Sequence, residues 1–457
     1  MANTLGIAQS ALMAAQTGIA TTGQNIANVG TPGYSRQATV QTAVSPVPMG
    51  FGYMGQGTQV TDIKRAYSDF LGMQRLTAQS SSSQLQIQYD QVQQLDNMLA
   101  DPATGLSPAM QNFFNSMQDL SLTPGDVTAR QAFLSGASAL VATFHDLNGQ
   151  LDSLNHGVNL QISDSVQNIN DIAKQLGSLN LAIANSQGTG SKEANDLLDK
   201  RDQLLADLSK QVKVNVVKQA NTEDVYIGNG QPLVVGANVY ALKVISDDPG
   251  RLQVAYDING QQATMTSNNL AGGQLGGILD FRSQILDQVR NGLDAIASGL
   301  GQGLNDINAQ GKAPTGNNGA ALFSFGSDPH AAGAIAMATN DLNQIATGNS
   351  SVVGDNSNVL KMLDLQTSKT LNGNSASFQQ AYARIVSMVG SKTRELAITS
   401  ASASSVLEQS NQAIQSVSGV NLDEEAANLM RYQQAYQAAG KLIQISKDMF
   451  DSLLRLE

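Results

Sequence analysis

The sequence contains no cysteine and no tryptophan, and it is poor in charged residues. Asp, Glu, Lys and Arg make up 14% of its 457 residues, against about 25% in ordinary globular domains. Without cysteine the chain can form neither disulfide bonds nor thiolate metal sites. Its three histidines, His145, His156 and His330, are not at the i, i+4 spacing that places two imidazoles side by side on a helix. The sequence therefore predicts no metal site.

The few charged residues are mainly acidic, with 26 Lys and Arg against 37 Asp and Glu, a net charge of −11. Such a chain cannot neutralise many phosphates, which excludes nucleic acid as its main partner. No apolar run approaches the roughly 18 to 20 residues that cross a bilayer, so we expect no membrane partner. No charged residue precedes Arg36, and the N-terminus therefore lacks the basic region of a Sec signal. We expect either a cytoplasmic protein or export that leaves the N-terminus uncleaved.

Proline is absent between Pro124 and Pro232 and again after Pro329. Because proline breaks helix interiors, long helices are expected in these two stretches. In the first stretch, apolar residues recur every three or four positions over residues 140–183, which predicts a long amphipathic helix, broken once near Gly157. In the second stretch a similar spacing predicts a helix over residues 376–417.

Residues 211–272 have a different pattern, in which short runs of β-branched residues are separated by Gly, Asn, Asp or Pro. Val225-Tyr226-Ile227, for example, is followed by Gly228-Asn229-Gly230, which predicts strands joined by tight turns. The whole chain is therefore expected to be mainly α, with long helices in a bundle and an inserted small β domain. Residues 313–357, rich in Gly, Asn and Ser, could join that β domain.

Both ends of the chain carry a strict heptad pattern. The large residues seven apart are Leu5, Leu12, Ile19 and Ile26 at one end and Leu422, Leu429, Tyr436, Ile443 and Phe450 at the other. Three positions after these stand the companion residues Ala8, Ala15, Thr22 and Val29, and Glu425, Tyr432, Ala439, Ser446 and Leu453. The pattern predicts that the terminal helices pair as a coiled coil, with the large residues as an assembly seam. The alternative is two ordinary amphipathic helices that cover a globular core.

These patterns predict four parts of the chain. They are a terminal coiled-coil assembly domain of residues 1–35 and 419–457, an extended or β-hairpin linker of residues 36–65, a helical bundle of residues 66–210 and 273–418, and an outer β domain of residues 211–272.

Two short motifs could suggest chemistry, and neither has the context that the chemistry needs. Residues 50–55 match the dinucleotide-binding pattern G-x-G-x-x-G, but Pro46 and Pro48 precede them instead of a strand. Asp423-Glu424-Glu425 occupy successive positions that do not share a helix face. Acidic residues in a first helical turn favour helix initiation, with Asn421 as the expected N-cap. The sequence predicts no catalytic, cofactor-binding or metal-binding residue.

The N-terminal helix is predicted to end at Asn25-Ile26-Ala27-Asn28, followed by Thr31-Pro32-Gly33-Tyr34. Pro32 forces Thr31 out of the helical conformation, and Gly33 accepts a positive φ angle. These two motifs resemble the N-terminal signature of the rod, hook and hook-associated proteins of the bacterial flagellum. The run from Ser416 to Glu425, followed by Arg431-Tyr432-Gln433-Gln434, resembles the narrower hook-associated protein 1 family. Internal stretches such as residues 195–204 and 276–284 agree.

The resemblance implies a structural, non-enzymatic subunit that polymerises at the junction between hook and filament and mechanically adapts one to the other. It implies export through the flagellar type III apparatus to an extracellular location, with a chaperone bound before secretion. The implied partners are further copies in a ring, hook protein and hook-associated protein 3. Many family members carry a further outer domain where this sequence has only residues 312–357. The alternatives are another axial subunit, either hook-associated protein 3 or flagellin-like, and a secreted hydrolase that uses its β domain.

Overall fold

Long helices dominate the structure, a computed structural model that describes residues 2–50, 52–100, 105–188, 194–219, 222–248, 250–258 and 261–454. The predicted fold class, a mainly α chain with long helices and small antiparallel sheets, is confirmed. Within the described ranges, no helix is both long and apolar enough to cross a membrane.

The two ends of the chain form one elongated unit. Helix α1 (Ala2–Ala27) packs against helix α11 (Leu422–Leu454), which confirms that the terminal helices pair. Strands β1 (Gln37–Ala43) and β4 (Thr58–Arg65) form an antiparallel hairpin that lies along α1. Between β1 and β4 in sequence, β2 (Val47–Met49) and β3 (Gly52–Met54) form a smaller hairpin. This hairpin contains most of the segment that matches G-x-G-x-x-G; Phe51 of that segment lies outside the described residues.

Helices α2 to α7, α9 and α10 form the bundle. Their bounds are α2 Asp69–Leu99, α3 Leu106–Leu122, α4 Val127–Gly188, α5 Asn195–Gln211, α6 Gly273–Phe281, α7 Asp287–Gln310, α9 Ser357–Asp364 and α10 Phe378–Ser418. A π-helical turn, Arg282–Leu286, joins α6 to α7. Phe113, Phe114 and Phe133 are almost completely buried and meet with ring centroids 5.3 and 5.6 Å apart. These three rings lie in the core between α3 and α4.

The prediction of a break near Gly157 is wrong, because α4 is 62 residues long and is continuous through this position. A glycine inside a helix costs only about 1 kcal/mol relative to alanine. Leu154 and Val158, on either side of it, are 7% and 0% exposed, and their burial in the core outweighs that cost.

The strands of residues 214–265 form two antiparallel sheets that pack on α4. The first contains β5 Val214–Lys218, β6 Glu223–Ile227, β7 Gln231–Val235 and β8 Asn238–Val239, and the second contains β9 Leu242–Asp248, β10 Arg251–Ile258 and β11 Gln261–Met265. The turn expected at residues 228–230 is confirmed, with positive φ angles of 55° at Gly228 and 106° at Gly230. Asn170 of α4 holds the start of β9, since its side chain accepts from Leu242 N at 2.8 Å and donates to Leu242 O at 2.9 Å.

Residues 311–357 lie against α4 and α7. They include β12 Phe323–Phe325, helix α8 Ala331–Ala334 and β13 Ile335–Met337, and β12 and β13 form a small sheet of their own. That this segment belongs with the outer β domain stays a prediction.

We expect Asn170→Ala to lower the free energy of unfolding by about 1 to 3 kcal/mol, because it leaves the amide and carbonyl of the buried Leu242 without their partner. The matched change is Lys174→Ala, which removes an exposed side chain one turn further along α4. It should lower the free energy of unfolding by under about 0.5 kcal/mol. Urea denaturation of both variants measures the difference. Equal losses would contradict a supporting role of Asn170 under the sheet.

Candidate functional site

The contact between α1 and α11 is made by the companion row of the heptad pattern. Ala8, Ala15 and Thr22 of α1 are 0%, 3% and 3% exposed, and Ala439 and Ser446 of α11 are 2% and 7% exposed. These side chains are short, so the two helix axes can approach closely.

The terminal helices approach closely at Gly18. A Cβ atom added to Gly18 would lie 2.6 Å from Cδ1 of Tyr432, a distance that side chains do not reach without movement. Beyond the end of α1, Nη1 of Arg36 lies 2.7 Å from Oε2 of Glu424, near the start of α11. The end of α1 is thus beside the beginning of α11, and the two helices are antiparallel.

The large heptad residues flank this contact and remain accessible to solvent. Leu5, Leu422, Tyr436 and Phe450 are exposed, while Leu12, Ile19, Ile26, Leu429 and Ile443 are half-buried. They are therefore not the buried row between α1 and α11, because the closest packing of two helices uses the smaller row. Their part in assembly between copies stays a prediction.

The N-terminal signature turns the chain from α1 into the hairpin, and Asn25 holds the turn. This side chain is 1% exposed. Its Nδ2 donates to Gln37 O at 2.8 Å, and its Oδ1 accepts from Gln37 N at 2.9 Å and from the Tyr34 hydroxyl at 2.8 Å. Burial, with a smaller effect of the Asp199 carboxylate, raises the pKa of Tyr34 to about 12. The Tyr34 hydroxyl therefore stays protonated and donates to Asn25 at physiological pH.

The other signature residues shape the turn or lie at its surface. The expected positive φ of Gly33 is confirmed at 80°. Asn28 stabilises the helix end, since its Nδ2 donates to Gln24 O at 2.9 Å and its Oδ1 accepts from the Thr31 hydroxyl at 3.1 Å. Ala27, Thr31, Pro32 and Gly33 are exposed, and Ile26 is half-buried.

The acidic start of α11 has the role expected from the sequence. Oδ1 of Asn421 accepts from the amide of Asp423 at 3.0 Å, which confirms Asn421 as the N-cap. Of the three acidic residues, Glu425 is 3% exposed, and Asp423 and Glu424 are exposed.

A buried ion network on α5 fixes both ends of the hairpin. Nη1 of Arg65, at the end of β4, lies 3.1 Å from Oδ1 of Asp199 and 2.5 Å from Oδ2 of Asp202. The second carboxylate oxygen of Asp199 accepts from the amide of Ser35, just before β1, at 3.1 Å. The Arg65 guanidinium also lies over the Tyr67 ring, 4.2 Å from its centroid. Because Arg65 and Asp199 are less than 10% exposed, water screens this network little.

The same network continues from α5 into the first β sheet. Nη2 of Arg201 lies 2.7 Å from Oε1 of Glu223, the first residue of β6, and both side chains are buried. Burial raises the pKa of Asp202 and of Glu223, and the cations Arg65 and Arg201 respectively oppose this shift. A helix, a hairpin and a sheet are thus held at one point by charges that have little access to water.

This network was not singled out from the sequence as a site. Residues 195–204 contribute to the family resemblance. No local pattern in the sequence, however, pairs their charged residues with Arg65 or Glu223. The available signal was the run Asp199-Lys200-Arg201-Asp202, four consecutive charged residues in a chain with few charges.

Two of the three histidines have partners within the fold. In the part of the chain that the structure describes, no three His, Asp or Glu side chains are grouped so as to hold a metal ion. His145 Nε2 donates to Ile335 O at 2.6 Å, and His330 Nδ1 lies 3.0 Å from Oδ2 of Asp294. These two histidines therefore fasten the segment around α8 to the bundle.

Models of flagellar protein families match three successive parts of the chain. The model for the flagellar hook-associated protein FlgK helical domain matches residues 92–323. The model for the flagellar basal body rod FlgEFG protein C-terminal region matches residues 404–456, and that for the flagella basal body rod protein matches residues 5–34.

Curated relatives match over their full length. Flagellar hook-associated protein 1 of Salmonella typhimurium is 32% identical over 553 aligned positions, and the alignment covers 100% of each chain. Flagellar hook-associated protein 1 of Escherichia coli is 31% identical over 546 aligned positions, and this alignment also covers 100% of each chain. The Bacillus subtilis protein of the same name is 25% identical and covers 98% of this chain. The alignments are longer than this chain, so the first two relatives contain segments that it lacks.

A solved structure shows the same fold. The flagellar hook junction protein FlgK from Burkholderia pseudomallei superposes with a TM-score of 0.70 at 21% identity, covering 76% of this chain and 100% of that one.

We expect Gly18→Ala to separate α1 from α11, because the new methyl group would overlap the Tyr432 ring. Amide hydrogen exchange in peptides from both helices should become faster. Gly23→Ala is the matched control, since no atom lies within 4 Å of the added Cβ and alanine favours helix. Slower exchange in the Gly18 variant would show that the two helices do not pack at this point.

We expect Arg65→Met to destabilise the folded chain by about 3 to 5 kcal/mol, because it leaves the buried carboxylates of Asp199 and Asp202 without a cation. Lys174→Met removes an exposed ion pair to Asp171 and should change stability by under about 1 kcal/mol. Thermal denaturation of the two purified variants makes the comparison. A stable Arg65 variant would mean that the network does not hold the hairpin in place.

Proposed function

The chain belongs to the flagellar hook-associated protein 1 family, and we propose that it is a structural subunit that polymerises at the hook–filament junction and mechanically adapts the hook to the filament. It acts together with other axial components of the flagellum, outside the cell. We place its function in assembly and not in catalysis.

The observation that carries this proposal is the unused apolar surface of the terminal helices. Leu5, Tyr436 and Phe450 are 45%, 42% and 55% exposed in the single chain. Burial of one such side chain contributes about 1.5 to 3 kcal/mol, and exposed apolar surfaces commonly mark sites of association. Since no charged residue precedes Arg36, α1 suits a position surrounded by neighbouring helices.

The proposed assembly is a ring of identical subunits whose terminal helices line its inner layer. Hook protein on one side and hook-associated protein 3 on the other are its proposed neighbours. The type III route of export and a chaperone bound beforehand are parts of the same proposal. The names of the full-length relatives favour this function over a hook-associated protein 3, a flagellin-like subunit or a secreted hydrolase.

The α5 network supplies the mechanical part of the proposal. A force applied to the terminal helices passes through the hairpin to Arg65 and Ser35, and from there to Asp199 of α5 in the bundle. Buried, charge-assisted hydrogen bonds resist displacement better than exposed ones, because water does not compete for their atoms. The network would therefore keep the angle between the assembly helices and the bundle constant as the flagellum rotates.

We expect Ile19→Asp and Ile443→Asp to abolish incorporation at the junction. Both residues are half-buried in the single chain, so the new carboxylate remains solvated there, but a closed seam in the polymer would bury it without a partner. Cells should bear hooks without filaments and shed flagellin into the medium, as seen by electron microscopy and immunoblotting.

The control is Leu160→Asp, the same type of change at a leucine of α4 that is 55% exposed; it should still support filaments. All three purified variants should keep the melting temperature of the bundle. Seam variants that lose several degrees of thermal stability and yet build filaments would place the terminal helices in a globular core instead.

A further inference from the structure

A shallow groove runs between α2 and α10, away from the terminal helices. The two helices are antiparallel, with the Ser400 hydroxyl donating to Oε1 of Gln86 at 2.9 Å and the Tyr382 hydroxyl donating to Leu99 O at 2.9 Å. The groove has a volume of about 540 Å³ and is lined by Gln74, Thr77, Ala78, Ser81, Leu85, Thr399, Ser402, Ala403 and Val406. Most of these side chains are small, so another helix could approach its floor closely.

The walls of the groove carry no charge. No Asp, Glu, Lys, Arg or His occurs in residues 76–89 of α2 or in residues 396–407 of α10. Large apolar side chains extend this surface at helical spacing, since Phe70 and Ile398 are 70% and 72% exposed and lie one turn before Gln74 and Ser402 of the groove. Interface cores are depleted in charged residues, and this surface has that composition.

We propose that a second copy of this chain, its lateral neighbour in the ring, docks along this groove. The proposal rests on the proposed function and names a contact surface for it. Each copy has a net charge of −11, so identical copies repel one another over most of their surfaces. Close contact between them is least unfavourable where neither presents a charge, and the groove offers such a surface on the bundle.

Beyond the groove, α10 leads toward the terminal helices, the surface already proposed for assembly. At the end of α10, Val417 is 38% exposed, and Leu422 at the start of α11 is 51% exposed. Exposed apolar side chains therefore follow the chain from Ile398 into the terminal helices. One neighbouring copy that contacts the terminal helices could extend its contact along α10 to the groove, past Glu408, the one charged residue between the groove and Val417 on this helix.

The test places the photo-crosslinking amino acid p-benzoylphenylalanine at Ala403, in a chain that is assembled into flagella. Irradiation should give a product of twice the mass of the chain, and mass spectrometry should find peptides of this chain alone. The control position is Lys174 on α4, whose side chain is 68% exposed and carries a charge; it should give no such product. A product with hook protein or a filament protein, or no product from assembled flagella, would overturn the proposal.

A second pair of variants decides the matter if the bulky probe prevents assembly. Ala403→Asp puts a carboxylate into the groove, and Ala401→Asp puts one on an exposed position of α10 that does not line it. The first should reduce incorporation about tenfold or more and the second little, because only the first carboxylate would be desolvated. Both monomers should melt at the parental temperature. Equal incorporation of the two would overturn the docking site.

These outcomes are separable from failure of the proposed function. If antibody labelling does not locate the unsubstituted chain at the hook–filament junction, the function itself is wrong. If the unsubstituted chain is at the junction and the Ala403 variants behave like their controls, only the docking surface is wrong.

Discussion

The pairing of Arg65 with two carboxylates of α5 is the interaction that fastens the hairpin, and with it the terminal helices, to the bundle. It joins the end of the hairpin to the bundle, and the amide of Ser35 brings the beginning of the hairpin to the same aspartate. The terminal helices contact the hairpin and each other, so this point and the short connection from α10 to α11 together set their position relative to the bundle. A buried ion pair is a costly way to stabilise a fold, but it tolerates little change in geometry.

The weakness of the terminal contact is consistent with a subunit that completes its packing by assembly. Ala, Gly, Ser and Thr bury little apolar area, so the α1–α11 pair gains little from the hydrophobic effect alone. The large residues that could contribute more lie at its flanks. The bundle has its own buried core, and in the proposed assembly the stability of the ends would rise as copies meet.

Local chemistry made much of the fold predictable. The heptad spacing predicted both terminal helices, the N-cap Asn421 formed as expected, and Gly33 and Gly228 adopt the positive φ angles that their turns require. The error at Gly157 has a physical origin, because a preference of about 1 kcal/mol is small beside the burial of the neighbouring Leu154 and Val158.

The sequence by itself determined the two terminal helices, most of α4 and α10, and the short strands that follow α5, because periodicity and turn residues act over a few positions. Only the tertiary structure decided which heptad row is buried, the large residues or the companion residues. The two rows are three residues apart on one helix face, and the distance between the helix axes determines which of them packs between the helices. At Gly18 that distance is set by the Tyr432 ring. The α5 network joins residues 134 and 137 positions apart, and no local pattern records which distant charge a buried carboxylate will meet.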